Sequence, residues 1–476
     1  MAPHSLTRFP APIRIMNRCM RCWTVSLIFL KKQKNVKRSA EMEHFVIEHV
    51  YPIPNARGVR AVKSHIEVKN GTIITVAPGD YQNRESGAII LDGRGKWLSP
   101  GLYNTHGHTP MTMMRGVSDD VVLQEWLNNH VWPRERLFTS ETAKAGTELA
   151  LAEMIRTGTT GFLDMYHMGM QNTYELVKSS GIKSMISKGM MSIGTPEEQS
   201  EKLAAAARDL KEWEQDSSGR ITGMLFPHAP YTCTPDFLEK IVDAGHRYNL
   251  PLGIHLEETA REVADYQHDY GMTPARKLKE IGFYSRPAML THVVHATDED
   301  LDDMSVPEVT ISYNPMSNAK LGSGIARVPE MLKRGLRVTI GTDSAVSNNN
   351  LDMFEELRLG ALMQKVAFQD PSSIETEAVW KMATENGAAS MGFDNSGKLE
   401  SGAAADFILL DSASFALQPY DNILSHLVYA ASGRDVTDSF VNGRQLMKDG
   451  ELLTLDEEKI NAEANRHYRK LNEAYL

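Results

Sequence analysis

Hydrophobic and polar positions change period along this chain. From Phe45 to Val76 apolar and polar residues alternate in short runs, the two-residue period of half-buried strands. The pair Asn70-Gly71 sits between two such runs, a strong signal for a tight hairpin turn. The same pattern returns near the C-terminus. There Ala405–Leu410 and Asp438–Leu446 read as strands, with Asn442-Gly443 at a second hairpin turn. Both ends are therefore expected to be β-rich.

The middle reads differently. Eight short apolar runs are separated by longer stretches of helical period. The runs are Trp97–Tyr103, Gly161–Met165, Lys183–Ser187, Ile221–Phe226, Leu252–Ile254, Ala288–Leu290, Val309–Ser312 and Arg337–Ile340. Helix candidates between them include Glu141–Thr157, Pro196–Gln215, Pro235–Tyr248, Thr273–Ile281, Arg327–Arg334 and Leu351–Phe368. Eight strands alternating with helices predict an α/β chain with a closed (β/α)8 TIM barrel. An open doubly wound sheet is the alternative, but no Gly-x-Gly-x-x-Gly opens a helix where that fold needs one. The expected organisation is a β-sandwich half over residues 42–98, a barrel over 99–400, a second sandwich half over 401–455, and a helix over 456–476.

The informative residues follow the apolar runs. In order, the strand ends carry Thr105-His106-Gly107-His108, Asp164, Lys188, His228, His255 with Glu258, His292, Asn314, and Asp343-Ser344. Barrel active sites lie at that end of the strands. One histidine there reads as structural; a whole set of them reads as functional. His106 and His108 are two apart, so a strand points both side chains to one face. With His255 and Asp343 they make a nitrogen and oxygen donor set that suits Zn2+ or Fe2+ and needs no thiolate.

Composition narrows the class. The 476 residues are 42% hydrophobic and 24% charged, ordinary for a globular protein, and the net charge of −10 argues against a nucleic-acid surface. Residues 1–41 stand apart, with nine Lys/Arg against the single acid Glu41, and with Cys19 and Cys22. The apolar run Trp23–Leu30 is too short to span a bilayer. This head reads as a disordered tail or an over-extended translation start. The rest holds only Cys233, expected to be a buried small residue, and reads as a reduced, cytoplasmic, acidic protein.

The strand-end residues resemble the amidohydrolase superfamily, in its cytosine-deaminase/chlorohydrolase branch. The segments that carry the likeness are Pro100–His108, Pro227–Tyr231, His255–Glu258, Thr291-His292 and Gly341–Ser344. Further stretches are similar to those of the 5-methylthioadenosine/S-adenosylhomocysteine deaminases: His108–Gly116, Glu125–Leu127 with Pro133–Glu135, Ser317–Ala326 and Ser347–Asp352. The resemblance covers roughly residues 43–460. It implies one Zn2+ or Fe2+ held by His106, His108, His255 and Asp343. It implies Glu258 as proton donor to a purine nitrogen, His292 at the developing oxyanion and Asp343 as proton carrier. It places Glu135 on a ribose diol, with Trp126 as an apolar wall and His228, Lys188 and Ser347 also beside the substrate. By composition alone Glu135 is a helix-surface glutamate between Arg134 and Arg136, and Trp126 a core tryptophan; only the match to the family gives them these roles.

One departure matters. Where these deaminases commonly carry an Arg after the third strand, associated with the amino-acid end of S-adenosylhomocysteine, this chain has Lys188. A lysine cannot form the bidentate fork. Methylthioadenosine, adenosine or another amino-heterocycle therefore gains weight. The resulting expectation is a hydrolytic deaminase of adenine nucleosides, a homo-oligomer with a small-molecule purine nucleoside as partner, and neither nucleic acid nor membrane. A guanine-type or s-triazine hydrolase of the same branch is the alternative, and a non-catalytic barrel scaffold a remote one.

Overall fold

The computed structural model describes residues 42–54 and 59–475. The expectations for residues 1–41, including Cys19 and Cys22, lie outside the described residues. Two sheets organise the rest. The first is mixed and draws on both ends of the sequence: β1 (His44–Pro52), β2 (Ser64–Lys69), β3 (Thr72–Pro78), β4 (Ile89–Asp92) and β5 (Lys96–Pro100). The second holds eight parallel strands in sequence order: β6 (Leu102–Asn104), β7 (Thr159–Tyr166), β8 (Lys183–Met190), β9 (Ile221–Pro227), β10 (Leu252–Leu256), β11 (Ala288–His292), β12 (Val309–Tyr313) and β13 (Arg337–Ile340). The chain then returns to the first sheet as β14 (Phe407–Asp411), β15 (Val436–Val441), β16 (Arg444–Lys448) and β17 (Glu451–Leu452), where β14 pairs with β5.

Both Asn-Gly turns form as expected. Asn70 and Gly71 have φ of 50° and 76°, Asn442 and Gly443 of 46° and 72°, the left-handed pair a tight hairpin needs. The two turns also meet. A Cβ on Gly71 would lie 2.8 Å from the Asn442 carbonyl oxygen. The run Trp97–Tyr103, expected as one strand, is two. It breaks at Gly101, where a Cβ would fall 2.1 Å from Thr160 Oγ1. Before the break β5 serves the mixed sheet; after it β6 opens the barrel.

Packing separates three apolar layers. Inside the barrel, Tyr103, Leu163, Met165, Met185, Met224, Phe226 and Met289 form one buried apolar cluster. Alternate residues such as Ile186 and Leu225 face the outer helices. In the mixed sheet Phe407 and Phe440 stack at 4.5 Å between ring centroids. The barrel closes by backbone hydrogen bonds between its first and last strands. Thr105 N–H donates to the Ile340 carbonyl at 3.2 Å, and Asp343 N–H to the His106 carbonyl at 2.9 Å. The seam thus falls between two residues singled out from the sequence.

A buried ion pair ties the barrel floor to the mixed sheet. The Lys183 ammonium donates to Asp406, and both are almost fully buried. Tyr103 OH donates to Asp406 at 2.7 Å, and Asn442 N–H to its other oxygen at 2.7 Å. Burial alone would raise the Asp406 carboxyl, but the Lys183 charge and these bonds outweigh it and lower it. The pair's contribution is therefore present above about pH 4 and is lost as pH falls through the folded-state value. Asp406→Asn should cost about 3–5 kcal/mol, because it leaves the ammonium buried without its counter-charge. Urea denaturation at neutral pH reads this directly, and a loss below about 1 kcal/mol would contradict the assignment.

Candidate metal centre and substrate cavity

The strand ends turn sharply at the chemistry-bearing residues. Glu257, His292, Val293 and Asp343 all have positive φ, between 48° and 76°. Such backbone is unfavourable for side chains other than glycine, most of all for β-branched Val293. It is held by hydrogen bonds from Val293 N–H to the Leu256 carbonyl and from His295 N–H to the Glu257 carbonyl, each at 3.0 Å. The turns leave the side chains of strands β10, β11 and β13 at the barrel mouth.

Four side chains converge there. His106 Nε2 lies 3.1 Å from His255 Nε2 and 3.5 Å from Asp343 Oδ1; His108 Nε2 lies 3.1 Å from the same oxygen. The other ring nitrogens define the tautomers. His108 Nδ1 donates to the Met165 carbonyl at 2.6 Å, and His255 Nδ1 to the His228 carbonyl at 2.6 Å. The neutral ring therefore presents a lone pair at Nε2 in each case. His106 Nδ1 is buried without a partner, so only Nε2 can fix that ring. Burial, reinforced by neighbouring histidine charges, holds His255 far below the ordinary imidazole range. Asp343 is the reverse: burial would raise its carboxyl, but His106 and His108 hold it well below the usual range. Burial lowers His106, whereas at His108 the contact with Asp343 outweighs burial and raises it. A donor set of imidazole nitrogens and a carboxylate suits a divalent cation, so the residues fit a metal. The donor atoms of His106, His108 and Asp343 lie within 4.8 Å of one another; so do those of His106, His255 and His292.

Second contacts set the orientations. Ser317 Oγ donates to Asp343 Oδ2 at 2.6 Å, Ser347 Oγ to the same atom at 3.2 Å, and Ser344 N–H to Oδ1 at 2.7 Å. Asn318 Nδ2 donates to His292 Nδ1 at 3.0 Å, which leaves the proton on Nε2, 3.7 Å from Glu258 Oε2. Glu258 is buried beside Asp343 and Glu262. Its carboxyl is pushed well above the usual range by burial first, then by those two charges. His228 is held neutral, near 3, by burial and by the charges of His108 and His167; its Nδ1 meets Thr232 Oγ1 at 3.0 Å.

A cavity opens from this cluster. Trp126, Glu135, His228, Glu258, His292 and Asp343 line it, with Met111, Leu123, Leu127, Met165 and Met191 as apolar wall. Tyr166 and His167, not singled out from the sequence, line it too. Tyr166 OH donates to Glu135 Oε1 at 2.6 Å and fixes that carboxylate at the wall. Their signal in the sequence was position alone: they end the second barrel strand. Ser317 and Asn318 lay within a stretch marked by resemblance but carried no assigned role. The other two expected substrate contacts, Ser347 and Lys188, are not among the residues that line this cavity. Ser347 is fully buried behind Asp343, and its hydroxyl is used there. Lys188 does not line the cavity. Strand alternation explains it: Met185 faces the barrel interior and Ile186 the outer layer, so Gly189 reaches the cavity and Lys188 falls on the outer face. Cys233 is buried, with its thiol on the Met190 carbonyl.

Known proteins resemble this chain. The amidohydrolase family matches residues 97–446. A 5-methylthioadenosine/S-adenosylhomocysteine deaminase of Halalkalibacterium halodurans is 45% identical over 412 residues, 86% of this chain and 94% of its own. The enzyme of the same name from Shouchella clausii is 41% identical over 418 residues, 87% and 96% of the two chains. Among solved structures, a zinc-bound adenosine deaminase from Xanthomonas campestris superposes with a TM-score of 0.84 at 29% identity, covering 90% of this chain and 98% of its own. Among the described residues, no helix is long and apolar enough to cross a membrane.

Elemental analysis of the purified protein should find a stoichiometric divalent metal. Chelation should lower the thermal transition, because a ligand held only by the folded state stabilises it. A metal-free protein with an unchanged transition after metal addition would contradict the assignment.

Proposed function

The chain belongs to the amidohydrolase family, and on that footing we propose that it is a metal-dependent hydrolytic deaminase of adenine nucleosides. It releases ammonia and leaves the inosine analogue. The observation that carries this reading is the Tyr166–Glu135 pair on the same cavity wall as the histidine and aspartate cluster. A carboxylate fixed by a tyrosine can accept hydrogen bonds from two adjacent ribose hydroxyls, which a free base or a triazine does not offer. Among nucleosides, methylthioadenosine is favoured over S-adenosylhomocysteine. No Lys or Arg is among the residues lining the cavity, while Met111, Met165 and Met191 are, so a methylthio group finds partners there and the carboxylate of an amino-acid end does not.

His106, His108, His255 and Asp343 would hold the metal, and zinc is the ion we assign, as in the adenosine deaminase neighbour. When bound, such an ion supplies the Lewis acidity that brings the pKa of water from 15.7 down to about 7. The protein's own groups divide the remaining work. Asp343, ionised beside two imidazoles, accepts the proton of the attacking water at its carboxylate. Glu258, kept protonated by burial, gives its proton to a ring nitrogen, which makes the amine-bearing carbon electrophilic. His292, with its proton on Nε2, donates to the oxygen as negative charge develops there. Asp343 then passes its proton to the amino group, which leaves as ammonia, and the second proton of the water returns to Glu258 as the carbonyl forms. His228 stays neutral and presents Nε2 to the substrate beside the cluster. Trp126 closes the cavity as an apolar wall.

Ammonia release from methylthioadenosine, adenosine and S-adenosylhomocysteine tests the reading; silence from all three would end it. Glu258→Gln should lower kcat by roughly 10²–10⁴ while metal content is unchanged, and near-full activity would remove Glu258 as the acid. Glu135→Ala should lower kcat/KM on ribosides by roughly 10- to 100-fold, the worth of charged hydrogen bonds. An unaltered value would remove the ribose contact.

A further inference from the structure

The segment that carries Trp126 and Glu135 is an unusual helix. Leu123–Glu135 begins and ends with short α turns but widens between Trp126 and Val131, where Trp132 N–H donates to the Leu127 carbonyl, five residues back. Trp126 and Glu135 are nine residues apart, which a regular α-helix at about 100° per residue would send to opposite faces. The wide turn removes part of that rotation, and both residues line the cavity. Wide turns of this kind are rare and often mark functional sites. No side chain caps its N-terminal end, so what packs against it helps to set its geometry.

That support comes largely from the far end of the chain. The helix Glu457–Tyr475 places Ala464 and Leu471 in one apolar cluster with Trp126, Leu127 and Val131. At its last turn the Arg134 guanidinium lies 3.7 Å from the centre of the Tyr475 ring. Tyr475 OH donates to the Asn129 carbonyl at 3.4 Å, and Arg134 itself donates to the His130 carbonyl at 3.1 Å. One side chain thus touches the segment both inside the wide turn and directly before Glu135. Tyr166 holds the Glu135 carboxylate from the opposite side.

We propose that Tyr475 is a positioning residue for nucleoside recognition: stacked on Arg134, it clasps the wide turn and so sets the place of Glu135. The inference rests on the reading of Glu135 as the ribose acceptor. It assigns no chemistry to the C-terminal helix, so its signature is in KM and not in kcat.

Steady-state deamination of methylthioadenosine tests it. Tyr475→Ala should raise KM about two- to fivefold, the scale of an exposed cation–π contact, with kcat unchanged within about 1.5-fold. Tyr475→Phe, which keeps the ring on Arg134 but loses the bond to Asn129, should raise KM by less than Tyr475→Ala, and Arg134→Met should reproduce the Tyr475→Ala effect from the other partner. Placed in the Glu135→Ala background, Tyr475→Ala should add nothing, because the clasp acts through that carboxylate. An unchanged KM in both Tyr475→Ala and Arg134→Met would overturn the clasp, as would an equal-fold rise in the Glu135→Ala background. An unaltered KM in Glu135→Ala alone would remove the ribose reading and the clasp together, which separates that failure from a failure of the clasp by itself.

Discussion

The convergence of three imidazole nitrogens and one carboxylate at the barrel seam is the constraint on which the rest of the molecule depends. Acceptors this close repel unless positive charge lies among them, and inside a protein that repulsion is poorly screened. The same residues also close the fold. Asp343 N–H bonds the His106 carbonyl, so the backbone that shuts the barrel is the backbone that brings the two side chains together. A cation gripped by both would cross-link the first strand to the last. Site and closure are one structural event, and a loss of either would be felt in the other.

Around that centre, burial sorts the acids into different states. Asp343 and Glu258 share one cavity, yet Asp343 is held ionised by its imidazole neighbours and Glu258 protonated by desolvation and like charge. Opposed environments of this sort assign a base and an acid within one site at one pH. Glu262, pushed up to about 7 by burial, accepts the backbone N–H groups of Glu257 and Glu258 and so fixes the strained turn that aims Glu258. The positive φ angles at Glu257, His292 and Asp343 are part of the same construction, since they release each side chain from its strand toward the mouth.

Much of this was legible in the sequence because its signals are local. Asn70-Gly71 and Asn442-Gly443 name their own turns. His106 and His108 declare a shared face by their spacing, and the polar residues after each apolar run mark the mouth of the barrel. Other features depend on a neighbour distant in sequence. Trp97–Tyr103 is one apolar run, but Gly101 packed on Thr160 splits it between two sheets. Lys188 follows an apolar run like the true cavity residues, and only the parity of β8 turns it outward. Ser347 was expected beside the substrate from the family likeness, and its hydroxyl donates to Asp343. Tyr166 and Tyr475 act across 31 positions in one case and more than 300 in the other, through contacts that no local pattern encodes.

The most direct test of the centre is anomalous diffraction from crystals of the metal-loaded protein. A single peak is predicted about 2.0–2.2 Å from the Nε2 atoms of His106, His108 and His255 and from Asp343, with His292 outside bonding distance. A peak held by His106, His255 and His292 without His108 and Asp343, or no peak at all, would contradict the account.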